Sequence, residues 1–80
     1  MRVQDAVVSR ILELIQTKNV TLHKLAIMSA VPPSTLKNII NGNSNNTGIS
    51  TIAKLCDGLG ITIKEFFQSD IFDNLEQEVI

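Results

Sequence analysis

Two adjacent prolines, Pro32 and Pro33, interrupt a chain whose apolar residues otherwise repeat at helical spacing. Neither can donate a backbone hydrogen bond, and each disfavours helical geometry in the residue before it. A helix cannot run through them. Proline is nevertheless welcome in a first helical turn, where its missing N–H would have no intrahelical partner anyway. The chain is therefore expected to close one helix near Ser29 and open another at Pro33, with a turn of three to four residues between. Thr21, just before Leu22, Leu25 and Ala26, is placed to cap the first of these helices by accepting an N–H from its first turn.

The flanking segments read the same way. From Gln4 to Lys18, apolar Val7, Val8, Ile11, Leu12, Leu14 and Ile15 follow the i, i+3, i+4, i+7 spacing of an amphipathic helix ending near Asn19. The helix opened by Pro33 carries Ser34 to Asn41, and Gly42 supplies a left-handed stop. Gly42 to Gly48 is rich in turn formers and reads as a surface loop. Ser50 or Thr51 is expected to cap a fourth helix with the stripe Ile52, Leu55, Cys56 and Leu59, closed by Gly60. Thr62 and Glu65 form a capping box for a fifth, Ile63 to Phe67. Residues 1–69 are thus one domain. Residues 70–80 are an acidic tail or a short extra helix, since Ile71, Phe72, Leu75 and Val79 share a helical face. The fold class is all-α, a compact five-helix bundle.

Composition limits the function. Eighty residues make one small domain, and an apolar fraction of 44% with three Phe and no Trp or Tyr implies an aliphatic core. No stretch approaches the roughly 20 apolar residues of a membrane span, and no signal peptide is evident, so a soluble, cytoplasmic protein is expected. One cysteine, Cys56, cannot form an internal disulfide. There is no paired-carboxylate cleft, phosphate-cradling glycine loop or Ser/His/Asp set, so neither enzyme activity nor a cofactor, metal or small-molecule substrate is expected. The net charge is −1, but all seven basic side chains precede residue 65, and residues 1–69, with four acidic ones, carry +3. Asp70, Asp73, Glu76 and Glu78 crowd the tail.

The proline-separated helix pair is a specific physical device. Ala26 permits close helix approach, and Leu25, Val31, Leu36 and Ile39 would join the pair to the core. Pro33, Ser34, Lys37 and Asn38 are then left on the outer face of one protruding helix. Such a helix fits the major groove, where Asn pairs with adenine, Lys with guanine and Ser with either. The stretches TLHKLAIMSAVPPSTLKNIING and ISTIAKLCDGLGITIKEFF resemble the helix-turn-helix domain of Cro and the phage repressors, over roughly Val8 to Phe67. The pairs Leu25-Ala26, Asn41-Gly42 and Leu59-Gly60 carry that resemblance.

The resemblance implies a lambda-repressor-like fold and a DNA-binding transcriptional regulator, a small repressor binding double-stranded DNA as a homodimer. It assigns base reading to Pro33, Ser34, Lys37 and Asn38, and phosphate contacts to Thr21, Leu22, Thr35, Asn41 and Asn43. Four features depart from the pattern. Ala30 stands where a turn glycine is common, at a cost of about 1 kcal/mol if its backbone is left-handed. Pro33 offers only apolar contact, and the Asn43 to Asn46 loop lacks basic residues. Ile15 and Ile40 replace a buried ion pair and are expected to touch. The alternative is an interaction module or antitoxin-like partner that keeps the fold with little DNA binding. His23 is expected exposed, Cys56 buried, and Phe66 and Phe67 in the core. Helix five and the tail residues Ile71, Phe72 and Leu75 are the candidate dimer face.

Overall fold

The computed structural model describes residues 1–43 and 46–77. Ser44 and Asn45 of the expected loop, and Glu78 and Val79 of the tail, lie outside the described residues. Among those described there are five α-helices and no strand: α1 (Val3–Lys18), α2 (Leu22–Met28), α3 (Pro33–Ile40), α4 (Ile49–Leu59) and α5 (Ile63–Phe67), followed by a 3₁₀ turn over Asp70–Phe72.

The helix ends follow local chemistry. The Thr21 hydroxyl accepts the Lys24 N–H at 3.0 Å and starts α2. Pro32 occupies the N-cap of α3 in extended conformation, with Pro33 in the first turn. The end of α3 is a double wrap: the Gly42 N–H donates to the Ile39 carbonyl, and the Asn43 N–H to that of Asn38. This needs the left-handed Gly42, φ +78°. Ala30, in the α2–α3 turn, takes the same strained region with φ +55°, so the turn is formed at that cost instead of relaxing. Thr62 and Glu65 make both bonds of the expected capping box.

One cap differs from expectation. Neither Ser50 nor Thr51 caps α4. The helix begins at Ile49 with Gly48 at the N-cap and no side-chain cap, while Ser50 and Thr51 lie inside the first turn. The cause lies on α1. The Gln4 amide donates to the Thr47 hydroxyl at 2.8 Å and accepts the Thr47 N–H at 2.9 Å, fixing where the chain enters the helix.

The core gathers Val7, Ile11 and Leu14 from α1, Leu25 and Ala26 from α2, Leu36 and Ile39 from α3, Ile52, Leu55, Cys56 and Leu59 from α4, and Phe66 from α5. Burying each large side chain stabilises by roughly 1.5–3 kcal/mol. The α1 stripe is narrower than the sequence suggested, since Leu12 is 47% exposed. Ile15 and Ile40 are both half-buried and pack against this core. The helices α2 and α4 meet where a Cβ on Gly58 would lie 2.1 Å from Ser29 Oγ and 3.1 Å from Ser29 Cα, so a side chain there would force Ser29 to shift.

Over its described residues, 70–77, the tail folds back instead of forming a sixth α-helix. Phe72 packs 5.0 Å from the ring of Phe67 and 6.3 Å from that of Phe66. Beyond it, the Glu76 N–H donates to the Met1 carbonyl, and the Glu76 carboxylate pairs with the terminal ammonium at 3.2 Å. No helix among the described residues is long and apolar enough to cross a membrane.

Candidate nucleic-acid interface

The two faces of α3 have opposite fates because Leu36 and Ile39 share one of them. Leu36 is fully buried and Ile39 nearly so, while Pro33, Ser34, Thr35, Lys37, Asn38 and Asn41 are all exposed. The helix is anchored along one stripe, and every position expected to read bases lies outside it. The side chains of Ser34, Lys37 and Asn38 form no hydrogen bond or ion pair with another described residue. Their donors and acceptors are open to a partner.

A cleft runs along each side of α3. On the α4 side, about 310 Å³ is lined by Thr35, Asn38, Asn43, Asn46, Thr47 and Thr51 with Ile39 and Gly48. This cleft is polar, and the uncapped start of α4 borders it, where backbone N–H groups lack intrahelical acceptors. On the α2 side, about 280 Å³ is lined by Leu22, His23, Pro33, Ser34 and Lys37. Apolar Leu22 and Pro33 make much of its wall.

The expected phosphate contacts divide. Thr35, Asn41 and Asn43 are exposed beside α3, and Thr21 is exposed although its hydroxyl already serves the α2 cap. Leu22 is half-buried with its side chain against the core. His23 is exposed, in keeping with its position on a polar helix face. Cys56 is fully buried, and that desolvation, followed by the charges of Asp57 and Glu65, pushes its thiol above the ordinary range. It is a packing residue, not a reactive one.

Three positioning devices escaped the sequence reading. One is the Gln4–Thr47 clamp, which fixes a residue lining the polar cleft. The second is Arg10, whose guanidinium donates to the Phe66 carbonyl at 2.6 Å and the Glu65 carbonyl at 2.8 Å while pairing with Glu13. A cation at the end of α5 takes up the Phe66 carbonyl and shares that of Glu65 with the Gln68 N–H. The third is the Ser29–Gly58 approach. A half-buried glutamine or arginine on an amphipathic helix carries no local spacing signal for a partner 43 or 56 residues away. Gly58 sits in a helical run where glycine is unfavourable, and that mismatch was the available clue.

Comparison with known proteins agrees with this geometry. Residues 10–69 match the sequence profile of the Cro/C1-type HTH DNA-binding domain. Among solved structures, the crystal structure of prophage Lp1 protein 11 superposes with a TM-score of 0.80 at 29% identity, covering 94% of this chain and 100% of that one. No significant match is found among curated proteins. With three quarters of its length matched, an all-helical fold and an exposed α3 following a tight turn, the chain belongs to the Cro/C1-type helix-turn-helix DNA-binding domain family.

Proposed function

We propose that this DNA-binding domain is a sequence-specific transcriptional repressor that inserts α3 into the major groove of double-stranded DNA. The observation that carries the reading is the state of α3: firmly seated by Leu36 and Ile39, with the side chains of Ser34, Lys37 and Asn38 exposed and making no hydrogen bond or ion pair with another described residue. Asn38 presents a paired donor and acceptor that suit adenine, Lys37 a cation that suits guanine, Ser34 either base, and Pro33 an apolar surface. Thr21, the Leu22 backbone, Thr35, Asn41 and Asn43 would follow the flanking phosphates, which position the protein without selecting sequence.

Positive charge near α3 is sparse, with Lys37 its one basic residue, and Arg10 is committed to α5. One domain would therefore bind weakly, and pairing on two half-sites about one helical turn apart would supply the rest. The tail residues Ile71, Phe72 and Leu75 are half-buried against the chain itself. What α5 still offers a second copy is Ile63, 43% exposed. The same sparse charge favours a second reading, a protein-interaction module on this fold.

Selection of duplexes from a random pool, followed by titration at two salt concentrations, separates the readings. The repressor reading expects a consensus with paired half-sites. It also expects a log–log salt slope of about −3 for three or four neutralised phosphates, and Asn38→Ala should weaken binding by about 1–3 kcal/mol. No enrichment at low salt would favour the interaction module.

A further inference from the structure

The cleft between α2 and α3 has a chemistry that its position alone does not explain. A helix start normally attracts anions through its free N–H groups. At α3 the two residues that open the helix, Pro32 and Pro33, have no N–H to give. The Thr35 and Leu36 N–H groups are already bonded to the Pro32 carbonyl, at 2.9 and 3.1 Å. What remains is the pyrrolidine ring of Pro33 facing a cleft shared with Leu22, and beyond them Ser34, Lys37 and His23. The donors here are the Ser34, Lys37 and His23 side chains, and a phosphate drawn to them would be desolvated against the two apolar walls.

We infer that this cleft reads the 5-methyl group of a thymine, with Leu22 and Pro33 as its apolar walls and Lys37 beside the acceptor atoms of the same or the next base pair. The inference rests on the proposal that α3 is the groove-reading helix, and it adds the base class that the α2 side of that helix selects. In the major groove the thymine methyl is the one apolar group a base pair presents, and every other signal there is a donor or an acceptor. Pro33 can answer none of those signals. With Leu22 behind it, it can remove a methyl from water, which corresponds to about 0.8 kcal/mol or roughly a fourfold change in affinity. The polar cleft on the far side of α3, with Thr35, Asn38 and Asn43, has no comparable pair of apolar walls. Methyl selection should therefore be confined to one edge of each half-site.

The test uses the full chain and the duplex that it selects best. Each thymine is replaced in turn by deoxyuridine, which removes the methyl and leaves all pairing and groove acceptors unchanged, and Kd is measured at fixed salt. The expected result is one position per half-site where uracil weakens binding about three- to fivefold, with the others near unity. In Pro33→Ser and in Leu22→Ala, the thymine-to-uracil ratio at that position should collapse towards one, whatever happens to overall affinity. Two variants from different helices guard against a folding defect in either. Uracil tolerated everywhere by a chain that still binds its consensus would overturn the methyl reading and leave α3 as a DNA reader. Discrimination that persists in both variants would also overturn it. Failure to select any duplex would sink the proposed function, and this inference with it.

Discussion

The polar side chains of two regions of the molecule are used in opposite ways. Around α1, α5 and the tail, they are bonded within the chain: Gln4 to Thr47, Arg10 to the carbonyls ending α5, Thr62 to Glu65, and Glu76 to the terminal ammonium. On α3, Ser34, Lys37 and Asn38 have no such partners. Both regions rest on one core, so the difference does not arise from burial of the helices. It separates side chains that hold the scaffold from side chains held ready by it, and substitutions should sort accordingly.

The largest contrast is between Phe66 and Asn38. Phe66 is fully buried and touches both other phenylalanines. Phe66→Ala should cost about 3–5 kcal/mol of stability, a large part of what an 80-residue domain possesses. Asn38→Ala should shift the urea midpoint by no more than about 0.5 kcal/mol equivalent while weakening selected DNA. Equal stability losses in the two variants would erase the distinction between the regions.

Next in size is Gly58, where the scaffold sets a sign. Glycine inside a helix ordinarily destabilises by about 0.5–1 kcal/mol relative to alanine. In α4 the added Cβ would strike Ser29, whose Cα as well as Oγ stands in the way. Gly58→Ala should therefore destabilise, by about 1–3 kcal/mol as the helices are pushed apart. Ser29 Oγ is buried without a hydrogen-bond partner among the described residues, so Ser29→Ala alone should be close to neutral. The double variant should recover part of the Gly58→Ala loss in a thermal melt. An increase in stability from Gly58→Ala alone would show that α2 and α4 do not meet this closely.

Much of this arrangement was legible in the chain because its signals are local. The proline pair, the Thr21 cap, the Gly42 and Gly60 stops and the Thr62–Glu65 box each act within about four residues, and each falls where expected. The outer face of α3 was legible for the same reason, since helical period alone places Lys37 and Asn38 opposite Leu36 and Ile39. What escaped were contacts whose partners are distant in sequence. Thr51 looked like a cap until Gln4, from the far end of the chain, fixed Thr47 and moved the helix start to Ile49. Packing also overrode a nearer signal: the tail periodicity of Ile71, Phe72 and Leu75 suggested a free helical face, whereas the Phe66–Phe67 pair, close by in the chain, draws Phe72 inwards, and Asp70–Phe72 forms a 3₁₀ turn. The two clefts beside α3 are likewise products of packing, because each joins residues from different helices.

A smaller effect tests the turn that presents α3. Ala30 is left-handed at φ +55°, which costs about 1–2 kcal/mol for an L-residue. Glycine would relieve that strain but give the unfolded chain more freedom, worth about 0.4–1 kcal/mol. Ala30→Gly should therefore stabilise by about 0.5–1 kcal/mol, with DNA affinity unchanged if the strain serves the turn alone. A more stable protein that binds worse would mean that stiffness at Ala30 helps to aim α3.

The smallest expected effect lies in the capping box of α5, where charge and geometry can be separated by pH. The Thr62 N–H donates to the Glu65 carboxylate at 2.9 Å, and this backbone bond, followed by the bond to the Thr62 side chain, holds the Glu65 carboxyl below its ordinary range. Because the folded-state value lies below the unfolded one, the stabilisation is complete above the usual carboxylate pKa and is lost as pH falls through the lowered folded value. Glutamine can make the same reciprocal box without titrating. The urea midpoint of Glu65→Gln should thus follow that of the wild type near neutrality, and fall less steeply below about pH 4.5, the carboxylate's ordinary value. Every other carboxylate is common to both proteins and cancels in the difference. Parallel curves down to pH 3 would mean that the box acts through geometry alone. A wild-type curve that steepens alone would show that α5, unlike α3, is held partly by charge bonded within the chain.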